Sequence, residues 1–387
     1  MKLSGGLINI VKILHLASFI GNIGDNASHY GTYKILDSIF NFDYRVDTFE
    51  IRKTYANYNL KDKCCFDNDF AKLANCYDLL LIGGGCFLDF WVKDSATGTT
   101  LDISDEILRE IRTPIAICSM GCLHRENVPR GNIRKLDRFL TCLMERNNTF
   151  VSIRNDSSLQ VLQKVIGNKF AHTLPEVLDS AYFYENNGLS YRPVDSEYII
   201  INFNYEQLSR NNLLIGDIDL LLFKAELLKV VNYIIDNTDY NIVFTAHVYA
   251  DYGAMIDFLN DINDYHIRTR IAVTPYVQGS YGCEQIFSAY KNSSLVIGMR
   301  YHAVVCSISL GTPCVGIAST DRVLYTFESL GLNTSVLKAD ESFSASLIDQ
   351  MNKILKKPLE ARTNADLLNL KRKQTIEIYK DGFENIL

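Results

Sequence analysis

Short runs of apolar residues alternate with longer amphipathic stretches along nearly the whole chain. The apolar runs of the first half are VKILHLAS, YDLLLIGGG, TPIAICSMG and TFVSIRN, and NASHYGTYKILDSIF has helical spacing. The pattern restarts with YIIINF, the helical DIDLLLFKAELLKVVNYIID, YNIVFTAH, IAVTPYV, SLVIGM and TPCVGIA. Buried strands separated by helices are typical of parallel sheets covered by helices. We therefore predict an α/β protein with doubly wound, Rossmann-like sheets.

The alternation is interrupted once, at the loop ENNGLSYRPVDSE. Because 387 residues are too many for one ordinary α/β core, we predict two domains. The N-terminal domain would comprise residues 1–189 and the C-terminal domain residues 190–387, ending in helices with polar outer faces. Ligands of open parallel sheets bind beyond the carboxyl ends of the strands, so we expect the two domains to face a cleft there.

Composition narrows the classes of partner. The chain is 47% hydrophobic and carries a net charge of −6, so it has no basic field for nucleic acid, and local Arg and Lys must hold any anionic ligand. Most of the 10 Cys lie in apolar runs without the spacing of zinc ligands, which predicts core packing rather than a metal site. Lys12 and His15 interrupt the apolar N-terminal stretch, which therefore predicts a buried strand and a cytoplasmic protein.

The first strand is followed by the segment GNIGDN, which opens a predicted helix. Gly21 and Gly24 allow a tight turn whose free N–H groups could bind an anion or a polar sugar edge. Asn22 and Asp25 belong to the same segment. The alternative is structural, with Asp25 or Asn26 capping the helix.

Two further loops follow buried strands. Gly83, Gly84 and Gly85 come after YDLLLI, and Ser119 and Gly121 come after PIAIC. A bare backbone at such a position lets a ligand or a neighbouring loop approach closely. The same glycines would also serve a tight strand-to-helix turn.

Two polar pairs stand at other strand ends. Arg154 follows TFVSI beside the start of a helix. There its guanidinium could bind phosphate or carboxylate through two hydrogen bonds, or simply pair with Asp156. His247 follows YNIVFTA, and Asp251 four residues later could face the imidazole or cap a helix.

The segment SLVIGMRYHAVVCSISLGTPCVGIAS carries the strongest local signal. An apolar strand ends at Gly298, and Arg300 and His302 then interrupt the first turn of an apolar helix that runs to Gly311. Folding alone would favour Leu or Ala there, so we predict that both side chains point into the cleft and that neither is needed for core packing. The Asp-x-Asp strings at 67–69 and 217–219 are better explained as helix caps than as metal sites.

Taken in order, GNIGDN, LLLIGGG, ICSMG, VSIRN and GMRYHAVVCSISLGTPCVGIAS resemble the polysaccharide pyruvyl transferase family over about residues 15 to 330. The resemblance implies a GT-B-like two-domain fold and no cofactor, with phosphoenolpyruvate as co-substrate. The acceptor it implies is a sugar diol of a cell-surface polysaccharide or its precursor, which would become a pyruvyl ketal.

The resemblance also implies roles for individual residues. Arg300 and His302 match the Arg-x-His motif of the family, and Arg154 matches its Arg after the fourth strand. Tyr301 departs from the usual Leu, and Arg322 stands where the family has a later Lys. The implied donor-binding residues are Arg154, Arg300, His302 and Arg322, and the implied catalytic residues are His302, Arg300 and Asp25. The C-terminal domain would hold the donor. The N-terminal domain would hold the acceptor, with Asp25 as the base.

Two other functions fit the same pattern. A GT-B-like glycosyltransferase would use Arg300 and His302 to bind a nucleotide sugar, and a glycan- or nucleotide-binding protein would need the fold but no acid. All three functions imply a small-molecule or glycan partner and no nucleic acid. They are also compatible with peripheral association with membrane-bound glycan machinery. The sugar, its hydroxyl pair and the oligomeric state stay open at the level of sequence.

Overall fold

Two parallel six-stranded sheets, each covered by helices, organise the chain. The structure is a computed structural model that describes residues 10–123, 127–170, 172–186, 188–208, 218–339, 342–358 and 365–387. Every strand pair in both sheets is parallel, which confirms the predicted class of fold.

The first sheet has the strand order β2-β1-β3-β4-β5-β6. Its strands are β1 (Val11–Ala17), β2 (Tyr44–Glu50), β3 (Leu79–Gly83), β4 (Ile115–Met120), β5 (Thr149–Arg154) and β6 (Glu176–Val177). Its helices are α1 (Ile23–Phe40), α2 (Asn68–Ala74), α3 (Asp105–Glu110), α4 (Asn132–Met144) and α5 (Ser158–Ile166).

The second sheet has the order β12-β11-β10-β7-β8-β9. Its strands are β7 (Tyr198–Asn202), β8 (Asn241–Phe244), β9 (Ile271–Val273), β10 (Leu295–Gly298), β11 (Cys314–Ala318) and β12 (Val336–Lys338). The helices are α6 (Leu220–Asn237), α7 (Tyr249–Leu259), α8 (Asp264–Arg270), α9 (Gly279–Lys291), α10 (Tyr301–Ser309), α11 (Asp321–Ser329), α12 (Ser344–Lys356) and α13 (Ala365–Ile386).

Burial explains which strands the sequence reveals. Every residue of β3, β7 and β10 is buried, and a strand covered on both faces consists of consecutive apolar residues. The edge strand β2, with the sequence YRVDTFE, has no buried residue, and β6 and β12 have two and three residues. These three strands have no apolar run, so the hydrophobic pattern does not predict them.

Two of the predicted helix caps are present. The Asp67 carboxylate accepts hydrogen bonds from the Asp69 and Phe70 amides at 3.0 and 3.1 Å, and Asp219 accepts one from the Leu222 amide at 2.8 Å. Capping by Asp67 and Asp219 is therefore confirmed, while Asp217 lies outside the described residues.

The last helix, α13, packs against the first sheet although it follows the second in sequence. The Tyr379 and Phe383 rings lie 5.8 and 6.1 Å from the Phe150 ring of β5. The Thr375 hydroxyl accepts a hydrogen bond from the Leu178 amide at 3.1 Å. The predicted boundary near residue 190 falls between β6 and β7. Helix α13 contacts both halves, since Arg372 also bonds to Ser309 of α10.

Candidate functional site

The carboxyl ends of the two sheets touch directly where α1 and α10 begin. A Cβ atom added at Gly24 would lie 2.4 Å from Cβ of His302, so only glycine permits this approach. The Ile23 amide of α1 donates to the His247 carbonyl after β8 at 3.3 Å. The residues that follow β1 therefore meet those that follow β8 and β10.

Asp25 lies at this junction and is not the cap of its own helix. The Asn22 side chain accepts a hydrogen bond from the Gly24 amide at 3.0 Å and is the N-cap of α1, so the alternative of a cap by Asp25 or Asn26 is wrong. Asp25 Oδ1 lies 3.9 Å from Nδ1 of His302. Burial raises the pKa of the Asp25 carboxyl, and the charges of His302 and Arg52 offset part of that rise.

His302 lies in the first turn of α10 and is 4% exposed. Its Nε2 atom lies 3.1 Å from Ser28 Oγ of α1 and 3.5 Å from Oδ2 of Asp179. Both of these contacts are on the Nε2 side of the imidazole, and Asp25 lies on its Nδ1 side.

Asp179, which follows β6, is the centre of this cluster and was not predicted from sequence. Its carboxylate accepts hydrogen bonds from Ser28 Oγ at 2.9 Å, Arg154 Nη1 at 3.1 Å and the Ala181 amide at 2.7 Å. Burial alone would raise the pKa of Asp179, but the charges and hydrogen bonds of His302 and Arg154 outweigh it and hold that pKa below its ordinary value. Asp179 is therefore ionised at neutral pH.

Arg154 is 1% exposed and fully engaged within the protein. Its Nε donates to Asp156 at 2.8 Å, and one Nη donates to Cys86 Sγ at 2.8 Å. Asp156 thus pairs with Arg154, as the structural alternative proposed. Arg322 Nε also lies 3.1 Å from Asp156. A Cβ at Gly121 would lie 2.3 Å from the Arg154 guanidinium, so this glycine makes room for it.

Arg300 is held by a buried carboxylate of α7. Its Nε lies 2.9 and 2.8 Å from the two Asp251 oxygens, and Asp251 is fully buried. The same carboxylate accepts the His247 and Val248 amides. Of the two alternatives for Asp251, the structure favours the cap, since its carboxylate accepts the amide of Val248, the N-cap residue of α7. The His247 imidazole instead bonds through Nε2 to the Tyr290 hydroxyl at 2.9 Å.

The remaining predicted loop residues lie at strand ends but pack against their neighbours. Cβ atoms added at Gly83 and Gly84 would lie 2.7 Å from the Cys118 carbonyl and 2.6 Å from the His29 ring, and one at Gly85 would lie 2.6 Å from the Phe87 ring. Ser119 donates its hydroxyl to the Leu178 carbonyl at 3.2 Å. These residues shape the loops of the first sheet around α1.

Two further side chains, Arg52 and Tyr301, lie near the junction. Arg52 follows β2, a strand that the hydrophobic pattern does not predict. Its Nε donates to Ser18 Oγ at 2.8 Å, and its guanidinium would lie 2.3 Å from a Cβ at Gly21. The guanidinium carbons of Arg154 and Arg322 lie 4.9 and 4.3 Å from the centre of the Tyr301 ring.

No group of three or more His, Cys, Asp or Glu is placed to hold a metal ion within the described ranges. Among the helices described here, none combines the length and apolar character needed to cross a membrane.

Three histidines near the junction are buried in their neutral form. Burial lowers the pKa of His15 and His247 well below the ordinary value, with nearby positive charge adding to the effect. Burial also lowers the pKa of His29 from 6.5 to about 4. The unfolded chain therefore binds protons that the native protein excludes.

We expect the free energy of unfolding to fall as pH falls from 6.5 toward 4, because in that window the unfolded chain takes up protons that the buried histidines exclude. His29 alone accounts for on the order of 3 kcal/mol across it. Urea unfolding at a series of pH values measures the slope, and His29→Gln should make it shallower. An unchanged slope in that variant would contradict the assignment.

The fold and the junction define the class as a GT-B-like, two-domain α/β protein. A family model described as polysaccharide pyruvyl transferase matches residues 22–321, which include both α1 and the Arg300–His302 segment. The chain belongs to this transferase family.

Solved structures align with most of this chain. The putative UDP-N-acetylglucosamine 2-epimerase of Listeria monocytogenes is 10% identical, with 97% of this chain and 94% of that chain covered and a TM-score of 0.51. S. aureus MnaA, in a co-structure with UDP, is 12% identical over 97% and 94% of the two chains at a TM-score of 0.48. E. coli heptosyltransferase WaaC is 9% identical over 88% and 99%, at 0.43. No curated protein sequence matches significantly.

Proposed function

We propose that the protein transfers a pyruvyl group from phosphoenolpyruvate to two hydroxyls of a polysaccharide sugar. The observation that carries the proposal is the position of the family's Arg-x-His segment. His302 projects from the second sheet onto Asp25, Ser28 and Asp179 of the first. A group that can move a proton thus lies between the two domains, among the side chains of Arg154, Arg300 and Arg322.

The chemistry requires one acid and binding of two anionic groups. A proton is added to the methylene carbon of the enol, which becomes a methyl group, and the first sugar hydroxyl attacks the central carbon. Phosphate then leaves with its bridging oxygen, and the second hydroxyl attacks the same carbon. Of the two protons that the hydroxyls lose, one balances the new methyl group and the other ends on phosphate. These steps need proton transfer and stabilised negative charge, so we propose no metal or cofactor.

We assign the proton transfer to His302, with Asp25 as the base for an acceptor hydroxyl. Arg154, Arg300 and Arg322 are assigned to the donor. Because Asp156 and Asp251 already orient Arg154 and Arg300, their guanidinium groups would stabilise the donor mainly as fixed positive charges. The loop of Gly21, Asn22 and Gly24 is assigned to the acceptor.

A thermal-shift titration tests the donor. Phosphoenolpyruvate is expected to raise the melting temperature, and UDP- and ADP-sugars at the same concentrations are not. A ligand at a hundredfold excess over its Kd stabilises the native state by about 2.7 kcal/mol. Stabilisation by a nucleotide sugar but not by phosphoenolpyruvate would replace this proposal with the glycosyltransferase alternative.

Arg322→Gln is expected to weaken phosphoenolpyruvate binding by about tenfold or more, because a charge-assisted hydrogen bond contributes roughly 1.5–3 kcal/mol. Asp156 keeps its partner Arg154, so the variant should remain folded. Calorimetric titration measures the Kd. The matched control is Arg138→Gln, which removes a side chain that is 71% exposed and pairs with Asp105 on the surface. Equal Kd values for the two variants would remove Arg322 from the donor site.

A further inference from the structure

The hydrogen bonds around Ser28 determine which nitrogen of His302 carries a proton. Ser28 Oγ lies 2.9 Å from Oδ1 of Asp179 and 3.1 Å from Nε2 of His302. All three side chains are buried, so each hydrogen bond must be made within the protein.

A serine hydroxyl has one proton to donate, whereas an ionised carboxylate can only accept. The Asp179 carboxylate forms an ion pair with Arg154 and accepts the Ala181 amide, so it is ionised and the Ser28 proton points to it. Ser28 Oγ can then only accept from Nε2 of His302. That nitrogen must therefore carry a hydrogen, which also faces Asp179 Oδ2 at 3.5 Å.

We propose that Ser28 and Asp179 are positioning residues that fix His302 as the Nε2–H tautomer. Nδ1 is then the nitrogen that gains and releases the proton used in the reaction. The tautomer follows from the buried contacts alone, and only the use of the Nδ1 proton in turnover rests on the proposed function.

The surroundings of Nδ1 agree with this assignment. The nitrogen points toward the start of α1, where a Cβ at Gly24 would lie 2.5 Å from it and Asp25 Oδ1 lies 3.9 Å away. The Asn22 amide, whose oxygen caps the helix, donates to Asp25 Oδ1 at 3.4 Å, so this carboxyl is held beside Nδ1 at the start of α1. Nδ1, the nitrogen that gains and releases the proton in turnover, thus faces the loop assigned to the acceptor.

Asp179→Asn should release this constraint. An asparagine amide has hydrogens on one of its two terminal atoms. Arg154 Nη1 donates to the Oδ2 position, which keeps the asparagine oxygen on that side, so the hydrogens face Ser28. The serine proton then becomes free to donate to Nε2, which becomes an acceptor, and the ring proton moves to Nδ1.

Nitrogen NMR of protein labelled with ¹⁵N-histidine reads the tautomer directly, and His302→Gln identifies the His302 signals. At a pH where the ring is neutral, the wild-type protein is expected to show Nε2 protonated and Nδ1 unprotonated, and Asp179→Asn is expected to reverse them. Thr32→Val is the matched control, since it removes another buried hydroxyl of α1, one that bonds to the Ser28 carbonyl, and should leave the tautomer unchanged.

A wild-type ring protonated at Nδ1 would overturn the proposal, whether or not Asp179→Asn folds. In turnover, Asp179→Asn is expected to lower kcat about a hundredfold or more, with a smaller change in the KM for phosphoenolpyruvate. A reversed tautomer with unchanged kcat would overturn the role of Nδ1. Because the NMR measurement needs no substrate, failure of phosphoenolpyruvate as donor would leave the tautomer assignment standing and is recognised separately.

Discussion

His302→Gln is expected to lower kcat for pyruvyl transfer about a hundredfold or more, which is the usual effect of removing a general acid. The KM for phosphoenolpyruvate should change much less, since the three arginines near the junction remain. Release of inorganic phosphate under saturating donor measures kcat. The protein should stay folded, because Asp179 keeps its hydrogen bonds to Ser28, Arg154 and the Ala181 amide.

His266→Gln is the matched control for this variant. His266 lies on α8, where its ring contacts that of Tyr265, and its replacement should leave kcat unchanged. If His302→Gln instead unfolds the protein while the folded fraction turns over at the wild-type rate, the histidine is structural and the assignment of the acid is wrong.

The fold was predictable because buried strands of a parallel sheet record their burial in consecutive apolar residues. The strands β3, β7 and β10 show this directly. The position of Arg300 and His302 was predictable for the same reason, since polar residues just after such strands must lie at the carboxyl edge of the sheet. The edge strand β2 is only partly covered, so its sequence carries no comparable pattern.

The contacts within the site could not be predicted in the same way. Ser28 and His302 are 274 positions apart, and Arg300 and Asp251 are 49 apart. No local spacing connects such pairs. Asp179 follows a strand of two residues, and Arg52 follows the strand that the pattern missed. Residue pairs that form when two sheets pack together can be identified only from the three-dimensional arrangement of both sheets.

The pairing of Arg300 with Asp251 changes one expectation drawn from sequence. Arg300 interrupts an apolar segment, which suggested that its side chain could be removed without affecting folding. The structure places its guanidinium on a carboxylate that is fully buried and that also accepts two backbone amides of the loop before α7. Removing the arginine would leave this carboxylate charged, buried and without its counter-ion.

Arg300→Ala is therefore expected to lower the free energy of unfolding by about 3–5 kcal/mol, the range found when one partner of a buried ion pair is removed. Urea unfolding at pH 7 measures the change. Adding Asp251→Asn should recover part of the loss, because the amide removes the unpaired charge and its oxygen can still accept the His247 amide. Arg322→Gln is the matched control, since Asp156 retains Arg154, and it should cost far less. A loss below about 1 kcal/mol in Arg300→Ala, the level typical of an exposed ion pair, would contradict this role of Arg300 in the junction.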